Sequence, residues 1–247
     1  MALATYGSEP TTVAVAEIDG AGLAEYEFIV DGTSAPNLTP AMIPDQLAPD
    51  ITAIHVGTLG LVLEPMASTL TELVRREGGN RMVMIDPNVR PALLTDELGY
   101  RNRLDQLIAQ CTIVKASETD FGWLYPELGY EAAASRILKS GARLVIVTLG
   151  PRGAYATTPD FHVSVEAPPV EVVDTIGAGD AFSAAFLAWL YDHHRLQTDI
   201  TLEPQELRSA LEFACLAASL TCARAGAEPP TRAELEQARE SRRDPLR

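Results

Sequence analysis

Basic residues are scarce in this chain: 19 Lys and Arg stand against 34 Asp and Glu, for a formal net charge of -15. Nucleic acid and anionic membrane surfaces call for clustered Lys and Arg, so neither is expected as a partner. Long apolar runs are missing as well. None approaches the length of a bilayer span, and the first residues lack a basic-then-apolar export pattern. Three cysteines occur, Cys111, Cys215 and Cys222, with neither C-x-x-C spacing nor an even count. They read as reduced thiols in a cytoplasmic protein. No G-x-G-x-x-G follows an early strand, which argues against a generic dinucleotide-binding enzyme. Repeats and low-complexity segments are absent, and 247 residues suit one domain, 1–247, with a sizeable core.

What is present is an alternation of periods. Thr11 to Ile18 and Glu25 to Val30 are β-rich runs joined by Asp19-Gly-Ala-Gly22, a hairpin signal, so 11–34 is expected to form a hairpin unit. After a Pro-rich stretch, strands are expected at Ile51–Val56, Arg81–Asp86, Cys111–Lys115 and Arg143–Leu149. Helical patterns fall between and beyond them, at Pro65–Arg76, Asp96–Ala109, Ser117–Tyr125 and Tyr130–Ser140. That order predicts βαβ units, a mainly parallel sheet and helices on both faces. A further hairpin (Ala154–Ala156, Phe161–Val165) and three helices (Gly177–Tyr191, Pro204–Arg224, Thr231–Glu240) complete the reading.

The densest chemistry lies in Val170-Glu-Val-Val-Asp-Thr-Ile-Gly-Ala-Gly-Asp-Ala-Phe-Ser183. A turn feeds Gly-Ala-Gly into a helix, leaving the N–H groups of Gly177, Ala178 and Gly179 without intrahelical partners at the positive end of the dipole. Such amides form an anion hole. Asp180 adds a carboxylate beside it, the pairing that phosphoryl transfer uses: amides for migrating oxygens, a base for the attacking hydroxyl. An Asp that offsets the dipole, after glycines that let the chain turn, would leave the same four residues.

The longer match separates these. Asp174 through Leu187 resembles, nearly residue for residue, the C-terminal signature of the PfkB (ribokinase-like) carbohydrate kinases. The resemblance implies a three-layer α/β/α sandwich with a mainly parallel sheet and a small β lid. It also implies ATP and Mg²⁺ as cofactors, Asp180 as catalytic base, and Gly177, Ala178 and Gly179 as the anion hole.

Other loops gain meaning beside it. Thr148-Leu-Gly-Pro-Arg-Gly153 is a sufficient turn by itself; the family carries T-x-G-x-x-G there, against the nucleotide, which implicates Thr148, Gly150 and Gly153. Ser117-Glu-Thr-Asp120 is a capping-box variant. The family has N-x-x-E, often with Lys two residues upstream, which points to Lys115 and Ser117 for ATP and to Asp120 for Mg²⁺ through water. Asp86-Pro-Asn-Val-Arg90 is similar to the fructokinase and 2-keto-3-deoxygluconate kinase branch, with Asn88 and Arg90 toward substrate. Phe213 to Ala227 resembles the stretch beside adenine, which makes Cys215 a pocket-wall residue and places Gly226 near ATP. Asp174 and Gly226 match positions that serve a monovalent cation, K⁺, in several members.

The family's first strand, part of its lid and a Gly-Gly-x-x-x-N loop have no counterpart before Thr11, so the sequence is expected to lack an upstream segment. In the remaining hairpin, Tyr26 and Phe28 match an aromatic pair that walls the sugar site. Pairing of lids across a two-fold implies a homodimer. The expected activity is ATP-dependent phosphorylation of a sugar hydroxyl. The alternatives are a non-catalytic nucleotide- or sugar-binding remnant, or a kinase for 2-keto-3-deoxygluconate or a nucleoside.

Overall fold

A computed structural model describes residues 7–18 and 24–243. Its main sheet has six strands in simple chain order: β3 (Ala53–Gly57), β4 (Met82–Asp86), β5 (Ile113–Ser117), β6 (Leu144–Thr148), β7 (Ala154–Thr157) and β8 (His162–Val165). β3 to β6 run parallel, and β7 and β8 add antiparallel. The crossovers carry α1 (Met66–Glu77), α2 (Glu97–Ile108), then α3 (Glu118–Leu124) and α4 (Tyr130–Lys139). α5 (Ala178–Asp192), α6 (Pro204–Cys222) and α7 (Arg232–Arg243) follow the sheet.

Side-chain alternation along each strand explains the layers. Ile54, Val56, Val83, Ile85, Val114, Val145 and Val147 pack toward α1–α4. Met82, Met84, Ile113, Leu144 and Ile146 face the opposite way, against Phe182, Phe186 and Trp189 of α5 and Leu211 and Ala214 of α6. Strands buried on both faces read as continuous apolar runs, which is why β4 has no exposed residue. The near-uniform apolarity of α5 has the same origin, since it is wedged between sheet and α6.

All four parallel strands differ from their expected bounds by one or two residues, β3 and β5 the most. Ile51 donates its N–H to Ala48 in a turn, so β3 starts later than its apolar run. Cys111 closes the end of α2 through Ile108, while the ladder between β5 and β6 continues to Ser117 and Thr148. The first hairpin forms a separate two-stranded sheet, β1 (Val13–Ile18) with β2 (Ala24–Ile29), pairing Val13 with Ile29 and Val15 with Glu27. Its expected turn at Asp19-Gly-Ala-Gly22 lies outside the described residues. No helix among the described residues is long and apolar enough to cross a membrane.

Candidate active site

The carboxyl ends of the parallel strands open into a cleft of about 1010 Å³. In open α/β sheets this is where ligands bind. Its wall joins all four polar loops singled out in the sequence: Asp86 to Arg90, Lys115 to Asp120, Thr148 to Gly153 and Thr175 to Asp180.

At the cleft's floor α5 begins. Gly177 is its N-cap at φ 75°, a left-handed conformation, and a Cβ there would lie 2.9 Å from Ala227 Cβ. Glycine is required on both counts. Ala178 N–H turns back to the Thr175 carbonyl at 3.3 Å, so it is partly engaged. The N–H groups of Gly177, Gly179 and Asp180 have no partner among the described residues. Relative to the expected 177–179, the free set keeps Gly177 and Gly179 and exchanges Ala178 for Asp180. Asp180 is exposed on the cleft wall, and its carboxylate makes no hydrogen bond or ion pair among the described residues.

The loop before α5 is fixed by Asp174. One carboxylate oxygen accepts from Ile176 N–H at 3.0 Å and the other from Gly226 N–H at 2.9 Å. These amides hold the Asp174 carboxyl below its ordinary value. Both residues expected near a monovalent cation thus meet each other directly.

Ser117 and Asp120 form a reciprocal cap on α3: Ser117 Oγ accepts from Asp120 N–H at 3.1 Å, and Asp120 Oδ2 accepts from Ser117 N–H at 2.9 Å. The other Asp120 oxygen accepts Val89 N–H at 2.8 Å. Both oxygens are therefore occupied by the chain, and Asp120 is buried. Its observed work is to tie the Asp86–Arg90 loop to the start of α3. Among the described residues no group of three His, Cys, Asp or Glu is placed to hold a metal.

Lys115, expected at the nucleotide, is 4% exposed, and its ammonium lies 2.5 Å from Asp86 Oδ2. Burial pushes the Asp86 carboxyl up, and Lys115 pulls it back. Asp86 Oδ1 is buried with no hydrogen-bond partner. Asn88 and Arg90 both line the cleft, and Arg90 Nη1 donates to the carbonyls of Asn88 and Val89. Thr148 pairs with Ser117 across β5 and β6, and Arg152 of the Gly-rich turn bridges to Glu118. Cys215 and Cys222 form part of the wall. Burial pushes the Cys215 thiol up to about 12, which leaves it unreactive.

Of the hairpin aromatics, Phe28 is not brought into this cluster. Phe28 is half-buried and does not line the cleft; the Tyr26 side chain lies outside the described set. Thr58 escaped sequence reasoning. It follows β3, adopts φ 48° and accepts a hydrogen bond from Asn88. A Thr after a strand gives no sequence signal of that conformation.

Comparison with known proteins then settles the lineage: the pattern of the pfkB family carbohydrate kinases matches residues 3–234. The chain belongs to that family. It is 38% identical to a fructokinase of Rhizobium leguminosarum bv. trifolii over 181 residues, 73% of this chain and 55% of that protein. The chain thus spans little more than half the length of that PfkB relative. Among solved structures, a Vibrio cholerae O395 fructokinase double mutant in its fructose-, ADP- and potassium-bound form superposes with a TM-score of 0.79 at 22% identity, covering 94% of this chain and 74% of that one. A Xylella fastidiosa fructokinase with bound ATP gives 0.80 at 21%, covering 96% and 76%. At these identities the likeness carries the fold: ribokinase-like, with a mainly parallel sheet between helical layers.

Proposed function

We propose that this PfkB chain acts in ATP-dependent phosphorylation of a sugar hydroxyl, with fructose as the leading acceptor. The observation that carries the reading is Asp180: an exposed, unpartnered carboxylate beside free amides, at the floor of a cleft built by four strand-end loops. In this reading Mg²⁺·ATP enters as substrate along Ser117, Thr148 to Gly153, Cys215 and Gly226. The acceptor lies toward Asn88 and Arg90. Its oxygen bonds to the γ-phosphorus as the bond to the β,γ-bridging oxygen breaks; ADP leaves, and the hydroxyl proton passes to Asp180. The Gly177, Gly179 and Asp180 amides face the charge gathering on the transferred group.

Fructose is favoured by the names of the relatives and by the D-P-N-x-R loop. A potassium requirement at Asp174 and Gly226 is part of the proposal, as is a cytoplasmic setting. Pairing of hairpins into a homodimer is supported by Val13, Val15 and Ile29, exposed on β1 and β2. A non-catalytic binding remnant is the rival. Purified protein incubated with Mg²⁺, ATP and a panel of fructose, other sugars, 2-keto-3-deoxygluconate and nucleosides decides between them by ADP release. Turnover with fructose above the others supports the reading; nucleotide binding without ADP from any acceptor favours the remnant.

A further inference from the structure

Lys115 leaves the sheet on the face that α5 covers. Ile85 and Val114 are register partners, so the next residues, Asp86 and Lys115, stand side by side on neighbouring strands. Both are buried, and Lys115 Nζ meets Asp86 Oδ2 at 2.5 Å. The same ammonium reaches the carbonyl oxygen of Gly179 at 3.5 Å, in the first turn of α5. Phe182, one turn along, presents its ring 6.0 Å from Nζ. The ammonium lies directly against this turn: a Cβ on Gly179 would be in ordinary van der Waals contact with Nζ, at 3.4 Å.

A buried ammonium already matched to a buried carboxylate is poorly placed to serve as a phosphate ligand. Swinging away would strand Asp86, whose other oxygen already lacks a partner. What the pair does reach is the helix that carries the reacting groups. We propose that Lys115, clamped by Asp86, is a positioning residue: by holding the Gly179 carbonyl it sets where α5 presents its free amides and the Asp180 carboxylate. The catalytic consequence rests on the kinase reading above; the mechanical one does not. Displacing reacting groups by a fraction of an ångström lowers turnover without changing how the nucleotide is held elsewhere.

The test uses the double variant Lys115→Met/Asp86→Asn, which removes both charges together and leaves neither unpaired. Three quantities are read on the full chain: ATP Kd by calorimetry, kcat, and amide exchange over 174–184 compared with the rest of the protein. The expected result is a kcat lowered about 10- to 100-fold, ATP Kd changed less than about twofold, and faster exchange confined to 174–184. A tenfold or greater loss of ATP affinity with kcat retained would overturn the proposal and make Lys115 a nucleotide ligand. Unchanged exchange in 174–184, or exchange raised throughout the chain, also overturns it. If the unsubstituted protein forms no ADP with any acceptor, the kinase reading falls, while the exchange comparison still decides whether Lys115 holds the helix start.

Discussion

The side-chain amide of Asn88 donates to the hydroxyl of Thr58 at 3.0 Å, and both residues hold left-handed backbone, at φ 39° and 48°. A β-branched residue in that region is disfavoured because its Cβ crowds the neighbouring carbonyl. Two such conformations, joined by a hydrogen bond, stand at the ends of β3 and β4 beside the Asn88 edge of the cleft. Strained backbone of this kind gathers where a site must be held in one shape.

Thr58→Gly separates strain from function. Glycine relieves a left-handed cost of about 1–2 kcal/mol, but loses a bond worth about 1 kcal/mol and adds unfolded-state entropy. Stability is therefore expected to stay within about 1 kcal/mol of the parent, while the KM for the sugar rises about fivefold as Asn88 loses its anchor. Thermal melts and acceptor-dependent initial rates check this. A large drop in the melting midpoint with KM unchanged would assign the pair to folding alone.

Asp180→Asn keeps the shape of the carboxylate and removes its basicity. Turnover should fall by about 10²–10⁴, with ATP affinity close to that of the parent because the side chain has no partner in the chain to lose. Steady-state kinetics beside calorimetry of ATP binding gives both numbers. Near-parental kcat would remove Asp180 from the chemistry.

Gly150 and Gly153 sit at φ 58° and 94° in the same turn, yet their surroundings differ. Alanine at 150 meets nothing within 4 Å, whereas at 153 its Cβ would lie 2.0 Å from the Val165 carbonyl oxygen. Gly150→Ala is expected to cost about 1–2 kcal/mol, the conformational term alone. Gly153→Ala must also move β8 away from the turn and should cost about 3 kcal/mol or more. Urea denaturation ranks them, and equal losses would contradict the geometry.

Glu234 accepts from the backbone N–H of Thr231 at 2.6 Å, from Arg224 and from the Thr231 hydroxyl. These donors, the backbone amide first, lower its carboxyl to about 2. A depressed folded value contributes stability that is whole above the unfolded value near 4.5 and fades as pH falls toward about 2. Glu234→Gln should therefore lower the melting midpoint at pH 7, and the gap to the parent should close as pH falls from 4.5 to about 2. A gap that stays constant over that window would mean the carboxylate charge is not what anchors α7.

Sequence by itself determined the strand and helix order, because buried parallel strands and amphipathic helices have different periods that one chain displays without partners. It also determined the turn and the carboxylate at the head of α5, since Gly-Ala-Gly-Asp carries both within four consecutive residues; which amides stay free was decided by the turn of Ala178 N–H to the Thr175 carbonyl. Tertiary structure alone decided what the long-range partners do. Asp120 reads as a cap and, by resemblance, a metal organiser; only the approach of Val89 N–H, 31 residues away, occupies its second oxygen. Lys115 reads, by resemblance, as a nucleotide contact; it lines the cleft, and only the register of β4 and β5 sets it against Asp86 and the packing of α5 against Gly179. Thr58 carried no signal at all, because its partner Asn88 lies 30 residues away. Local geometry is written within a few residues, but the charge and hydrogen-bond partners of a buried group exist only once the sheet and its helices close around it.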